Sequence, residues 1–350
     1  MSSAEMSDPA GGAPETPDLE DARWFPVDLH VPARRYGFLR LDDAALARSS
    51  FLDTRIEASL ADATPMDVDQ ISIRGAPTRL AWLFHTSFCG STLLARALHV
   101  PPHQVCLKEP LVLRRMGDAR HAGVAFESLI APTLRLLARP WHPGGGVVVK
   151  PTHAALNVAS ALLAGAPDSK AVFLTSSLDD FLVSNLKKTP ETQAKIPDLA
   201  ERALSAGSFH QRLPAAALAP PDLLCAAGLQ WAAQRELMRD IAEAAGYGRV
   251  RAVDMRWLLR DLEQVGWQCM QWLGLPAPRE AFEDGCRQVA MRNAKAIETP
   301  YGPGQRMQDM ALVTGLYAPQ LAQAGEWLGR HVIPSMRPAA FADPQPWYPL

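Results

Sequence analysis

A chain of 350 residues that is 48% hydrophobic and 21% charged can bury a sizeable core, as one large α/β domain or two small ones. Its net charge of −2 argues against a nucleic-acid-coating protein, so any anion-binding site must be local and no nucleic-acid partner is expected. The five cysteines are odd in number and widely spaced, with no CxxC pair to suggest zinc or a redox motif, which favours a reducing compartment.

Residues 1–21 are rich in Ser, Gly, Pro, Asp and Glu and poor in large apolar residues, which predicts a disordered tail. They lack the basic start and apolar run of a signal peptide, and no stretch reaches the roughly 18–20 apolar residues of a membrane span. The expectation is no membrane span and a cytoplasmic location. Residues 22–73 read as an N-terminal extension with two amphipathic helices, at 42–50 and 52–61. At Arg79 the pattern changes. The apolar run LAWLFH (80–85) stops at TSFCGST (86–92), and LLARALH follows with helical spacing, a strand, loop and helix. Four more short apolar or β-branched runs follow: QVCL (104–107), VVVK (147–150), KAVFLT (170–175) and RVRAVD (249–254). Between and after them helices are expected at 124–137, 153–163, 178–188, 222–245, 255–273 and 317–329, with a surface connection at 206–222. Strands apolar on both faces and alternating with helices predict an α/β fold of three layers around a mostly parallel sheet. It would occupy one domain over 74–335, followed by a C-terminal tail at 336–350.

A loop that leaves a parallel strand and opens a helix offers backbone N–H groups and the positive end of the helix dipole to a phosphate. Gly90, Ser91 and Thr92 stand at that point, with the hydroxyls of Ser87, Ser91 and Thr92 as further donors. The Walker pattern G-x-x-x-x-G-K-[ST] is not met, because His85 replaces its first glycine and Ser91 its lysine. An ordinary strand-to-helix turn that uses Gly90 for its geometry is the plain alternative. Cys89, at the same helix start, reads either as a thiol of lowered pKa or as a small loop residue.

Three segments, SFCGSTLL (87–94), VFLTSSLDDFLVS (172–184) and AVDMRWLLRDLEQVGWQCMQWLGLP (252–276), together resemble the sulfotransferase family. The first is similar to the family's P-[KR]-S-G-T-T-L-L loop. The second resembles a strand, an R-D-P-x-D turn and a helix whose serine grips a 3′-phosphate, with Asp180 and Ser184 in the matching places. The third resembles a strand, an acidic turn, a helix and F-L-G-L. The resemblance spans roughly 79–276 and implies a P-loop fold of sulfotransferase type, with 3′-phosphoadenosine 5′-phosphosulfate (PAPS) as donor and no metal. It further implies that Ser87, Cys89, Gly90, Ser91 and Thr92 face the 5′-phosphosulfate and that Ser176 and Ser184 face the 3′-phosphate. Two cations of the pattern are absent: Phe88 takes the place of a Lys or Arg, and Ser176 that of an Arg. A serine does not reproduce the bidentate contact of arginine with phosphate.

Substitute cations belong at the carboxyl edge of the sheet, where doubly wound folds place ligands, and Lys108 and Lys150 end two of the strand runs. Arg96 reads as a site cation or an exposed surface arginine. Lys187 and Lys188 read as site cations or as partners of a helix dipole. Sulfuryl transfer needs a base for the acceptor's proton. Glu109, in LKEP, is the preferred base with Lys108 beside it, and Pro110 is expected to force the chain out of regular structure. A surface pair or helix cap is the plain alternative for Lys108 and Glu109, and His85 and His153 are alternative bases or structural histidines. The segment 291–307 gathers Arg292, Lys295 and Arg306 around a glycine loop similar in character to the family's late basic loop over the 3′-phosphate. The implied function is sulfuryl transfer from PAPS to a hydroxyl or amine of a small molecule or glycan, with oligomeric state left open. Two rivals stand beside it: a P-loop kinase or nucleotide hydrolase with Mg²⁺ held by Thr92 and Asp254, and a noncatalytic nucleotide-binding scaffold.

Overall fold

The computed structural model describes residues 16–290 and 303–338, and its strands form two sheets. The first is antiparallel, in the order β1 (Trp24–His30), β2 (Arg35–Arg40), β3 (Thr64–Asp67). No strands were anticipated in this segment. Yet Phe25, Val27 and Leu29 alternate with Pro26, Asp28 and His30, a period-2 signal that went unread, and the pairing register shifts between Pro26 and Asp28. Around that shift Phe25, Val27 and Leu29 are buried, in one core with Trp82 and Phe84 of the second sheet.

The second sheet consists of the five runs read from the sequence: β4 (Leu80–His85), β5 (Gln104–Lys108), β6 (Gly146–Lys150), β7 (Lys170–Thr175) and β8 (Val250–Asp254). All its pairings are parallel, in the order β5-β6-β4-β7-β8. Alternate residues enter two separate cores. Leu80, Trp82 and Phe84 face one, and Ala81 and Leu83 face the other. Burial on both faces is why these strands read as continuous apolar runs. Helices Ser91–Ala97, Leu262–Leu273 and Arg279–Ala290 cover the second core. Helices Leu111–His121, Ala159–Gly165 and Leu223–Ala245 cover the first, together with the antiparallel sheet.

Several expected helices are corrected. The predicted helix at 42–50 is present as Asp43–Arg48, but 52–61 holds no α-helix, only the start of a 3₁₀ turn at Leu60–Asp62, and Leu52 uses its backbone elsewhere. Its N–H donates to Lys108 O and its carbonyl accepts from Leu111 N. At 124–137 only Ile130–Leu137 is α-helical, after a 3₁₀ turn at Glu127–Leu129. The 153–163 stretch starts as 3₁₀ (His153–Val158) before helix Ala159–Gly165. The 255–273 helix is split at Asp261, which caps its second half by accepting from Gln264 N. Helices Leu111–His121, Pro190–Gln193, Ile196–Ala206, Arg279–Ala290 and Pro303–Leu316 were not anticipated. As expected, the chain leaves regular structure at Glu109 and Pro110, and Pro110 is the non-helical N-cap of helix Leu111–His121. Within 206–222 are two 3₁₀ turns, and Phe209 is buried, so that connection is packed rather than wholly superficial. No helix among the described residues is long and apolar enough to cross a membrane.

Helix Ala318–His331 lies so close to helix Leu223–Ala245 that a Cβ on Gly228 would fall 2.2 Å from Leu328 Cδ1. Gly228→Ala is therefore expected to cost about 1–3 kcal/mol through overpacking, despite alanine's better helix propensity. In a Leu328→Ala background the same change is expected to stabilise. Urea denaturation of the four proteins tests this, and equal losses in both backgrounds would reject the contact.

Candidate functional site

The chain leaves β4 for β5 and β6 on one side and reaches β7 and β8 on the other, so strand order reverses between β4 and β7. Open α/β sheets bind ligands in the crevice outside the carboxyl ends at such a reversal. The loop 86–90 after β4 and the turn at Ser176 after β7 flank it, joined by a hydrogen bond from Thr86 N to Leu174 O (3.0 Å). Gly90 caps helix Ser91–Ala97 with φ +78° and ψ 10°. A methyl there would meet Met255 and Leu258 at an unstrained 3.5 Å, so it is the left-handed backbone that calls for glycine. Ser87 and Cys89 of this loop and Ser91 and Thr92 of the helix it opens are all buried. Thr86 Oγ1 and Ser176 Oγ, both in fully buried residues, have no hydrogen-bond partner among the described residues.

Helix Leu223–Ala245 reaches both loops with a polar stripe. Gln230 Nε2 donates to Ser87 Oγ (3.3 Å), and Ser87 N donates to Gln234 Oε1 (3.4 Å). Trp231 Nε1 donates to Ser176 O (2.8 Å), and Arg235 Nη1 donates to Thr175 Oγ1 (3.1 Å). Sequence reasoning missed these four residues. Their spacing, i, i+1, i+4, i+5 within an apolar, Ala-rich helix, is a legible signal, since buried polar side chains need partners.

At the ends of β5 and β6, Glu109 and Lys150 form a buried ion pair, with Arg55 Nη2 at 3.5 Å from Glu109 Oε2. Arg55 also lies over the Phe51 ring, 3.6 Å from its centroid. Burial pushes the Glu109 carboxyl up, but Lys150, His153 and Arg55 outweigh it and hold the group below its ordinary value. It is therefore a carboxylate at neutral pH. Glu109 has φ +57° and Phe88 φ +56°; among the described residues Arg34 is the one other non-glycine with positive φ. Backbone held in this region costs about 1–3 kcal/mol per residue and clusters at functional sites.

The remaining expected residues fall as follows. Lys108 is turned away from Glu109, its ammonium donating to Leu46 O (2.8 Å) and Ala47 O (3.4 Å) at the end of helix Asp43–Arg48. Desolvation, then Arg96, lowers its pKa to about 7. Arg96 is buried, not superficial, and donates to Ala47 O and Ser50 Oγ. The Cys89 thiol donates to Thr86 O, and burial pushes its pKa up to about 11, which removes it as a thiolate nucleophile. His85 is fully enclosed and its nitrogens lie at 2.8 Å from Thr86 O and 3.0 Å from Pro151 O. Burial, Lys150 and His153 lower its pKa well below the ordinary imidazole value, so it is a poor proton acceptor, and both its nitrogens face backbone carbonyls, which fits a structural role. His153 Nδ1 lies 3.4 Å from Gln234 Nε2. Ser184 is half-buried in helix Leu178–Leu186, whose N-cap Ser177 bonds to Asp180. Lys187 pairs with Asp309, whereas Lys188 lies over the Phe88 ring. Arg292 and Lys295 lie outside the described residues, and Arg306 belongs to helix Pro303–Leu316 rather than to a glycine loop. Asp254 accepts from Arg256 N (2.8 Å) and Nε (3.3 Å) as a helix cap. No group of three or more His, Cys, Asp or Glu among the described residues is arranged to hold a metal ion.

No protein-family model and no curated protein matches the chain. Among solved structures, a sulfotransferase from Alicyclobacillus acidocaldarius is similar over 75% of this chain and 100% of its own, with 16% identity and a TM-score of 0.36. The sulfotransferase domain from the curacin biosynthetic pathway is similar over 69% of this chain and 90% of its own, with 13% identity and a TM-score of 0.39.

Two expectations follow from the edge residues. Unfolded lysine holds its proton up to about pH 10.4 while folded Lys108 releases it near 7, so stability rises with pH between those values. From pH 7 to 8.5 the wild type should gain about 1.5 kcal/mol on Lys108→Met, which lacks this titration. Urea denaturation at both values measures it, and a constant gap would refute the lowered pKa. Separately, Glu109→Gln and Lys150→Met should each cost about 3–5 kcal/mol by stranding a buried charge. The double variant should lose much less than the sum, whereas additive losses would deny the coupling.

Proposed function

We propose that this chain binds a phosphorylated nucleotide in the crevice between β4 and β7 and transfers a sulfuryl group from PAPS to a hydroxyl or amine of a small molecule or glycan. The observation that carries this reading is the place where the strand order reverses. It brings together a glycine-capped loop and two buried hydroxyls without hydrogen-bond partners among the described residues, and further along the same edge, at the ends of β5 and β6, lies a strained, ionised glutamate paired with Lys150. Those features fit an anionic donor: small residues let it approach the backbone, and the hydroxyls of Thr86 and Ser176 have no partner among the described residues.

PAPS supplies the sulfuryl group and leaves as adenosine 3′,5′-bisphosphate. In this reading Ser87, Cys89, Gly90, Ser91 and Thr92 hold the 5′-phosphosulfate through backbone N–H groups and hydroxyls. Ser176 and Ser184 face the 3′-phosphate, with Arg292, Lys295 and Arg306 as further basic residues toward it. Glu109 takes the acceptor's proton and Lys150 keeps it ionised until then. Lys108 instead steadies helix Asp43–Arg48. The Mg²⁺-nucleotide alternative draws less support, since the Asp254 carboxylate is engaged as a helix cap.

A thermal-shift comparison of adenosine 3′,5′-bisphosphate with ATP plus Mg²⁺ tests the reading. A ligand at about 100 times its Kd stabilises the native state by about 2.7 kcal/mol, and the bisphosphate without metal is expected to do so. A response to ATP with Mg²⁺ alone would move the assignment to a kinase or hydrolase.

A further inference from the structure

A nucleotide bisphosphate brings several negative charges into a crevice whose two strand-end positions, Phe88 and Ser176, carry no cation. Charge is tolerated in a desolvated crevice only where cations or aligned donors face it. At each of these positions a cation arrives from a neighbouring helical element. Lys188 follows helix Leu178–Leu186 and places its Nζ 5.1 Å from the centroid of the Phe88 ring, within cation–π range. The same ring packs on Phe181 of that helix at 5.7 Å, which ties the lysine, the helix and the loop together. On the other flank, the Arg235 guanidinium lies 5.1 Å from the centroid of the Trp231 ring and bonds to Thr175 Oγ1, the last residue of β7. The next residue is Ser176, whose carbonyl accepts from Trp231 and whose buried hydroxyl has no partner among the described residues.

We infer that the two cations absent from the strand ends have been moved to the flanking helices: Lys188 meets the 5′-phosphate end of the nucleotide and Arg235 meets its 3′-phosphate. The chemistry suits each position. A guanidinium placed against an indole and anchored by Thr175 is pre-oriented as a planar fork for phosphate, so little side-chain freedom is lost on binding. A half-buried lysine on a flexible stem instead follows the group that is transferred. The inference rests on the donor reading above and deepens it.

Calorimetric titration of adenosine 3′,5′-bisphosphate, adenosine 5′-monophosphate and adenosine 3′-monophosphate into wild type, Lys188→Met and Arg235→Met separates the two assignments. Lys188→Met is expected to weaken the bisphosphate and the 5′-monophosphate by about 10-fold or more and to leave the 3′-monophosphate within about 3-fold. Arg235→Met is expected to do the reverse, weakening the bisphosphate and the 3′-monophosphate. Equal losses for all three nucleotides would assign both residues a structural role, and unchanged affinities would deny them any contact. Either result overturns the inference while the donor reading stands. If the wild type binds none of the three, the donor reading falls and this inference falls with it. Where Arg235→Met does not fold, Thr175→Val removes the hydrogen bond between the guanidinium and β7 while keeping the charge. That variant should weaken the two 3′-phosphorylated ligands alone, and a loss shared by all three would again count against the assignment.

Discussion

A parallel sheet built from helical crossovers is covered on both faces, so its strands have no solvent-facing side on which to carry polar groups. In this protein the constraint has a direct consequence for chemistry. The middles of β4 to β8 alternate between two apolar cores, and each strand ends in a polar residue: His85, Lys108, Lys150, Thr175 and Asp254. Polar function is thereby concentrated on one edge. Strand order reverses between β4 and β7 on that edge, the place where open α/β sheets bind ligands, and the long helix Leu223–Ala245 supplies donors and acceptors to its loops.

Because the edge is buried, what each charge does depends on its partner. Lys108 and Lys150 end adjacent strands and are equally enclosed. Lys108 faces backbone carbonyls, which satisfy its N–H groups without opposing its charge, and desolvation lowers its pKa. Lys150 faces a carboxylate, and the pair compensates the burial of both members. Two lysines that look interchangeable in sequence therefore differ in role: one fastens a helix to the sheet, and the other sets the ionisation of Glu109.

The parallel strands were legible in the sequence for the same reason that they are stable, since two-sided burial writes continuous apolar runs. The antiparallel sheet was legible too but went unread, since Phe25, Val27 and Leu29 alternate with Pro26, Asp28 and His30 and belong to the core. Local periodicity failed at Leu52, whose hydrogen bonds run to Lys108 and Leu111, partners that no short window contains. Within the candidate site, the loop at Gly90 and the position of Glu109 on the carboxyl edge could be read from their places after strand runs. The left-handed backbone of Glu109 and the direction of the Lys108 side chain could not, because both depend on what packs across the edge. Arg235 and Lys188 lie further still from any strand-end pattern. Only the fold brings them to Thr175 and Phe88.

The lowered pKa of Glu109 bears on the reaction proposed for it. A carboxylate held strongly ionised is a weak base, and proton transfer is most effective when the base's pKa lies near the operating pH. The pairing with Lys150 changes the balance once the proton arrives. A neutral Glu109 no longer compensates the buried ammonium, so Lys150 is left as a cation without its counter-charge in a low-dielectric setting. Its charge already acts on Cys89 within the loop and on His85 beneath it. Negative charge developing on the departing bisphosphate in that crevice would then offset the cation that protonation has exposed. In the proposed reaction Glu109 and Lys150 would act as one device, in which removing the acceptor's proton makes available a positive charge for the transfer.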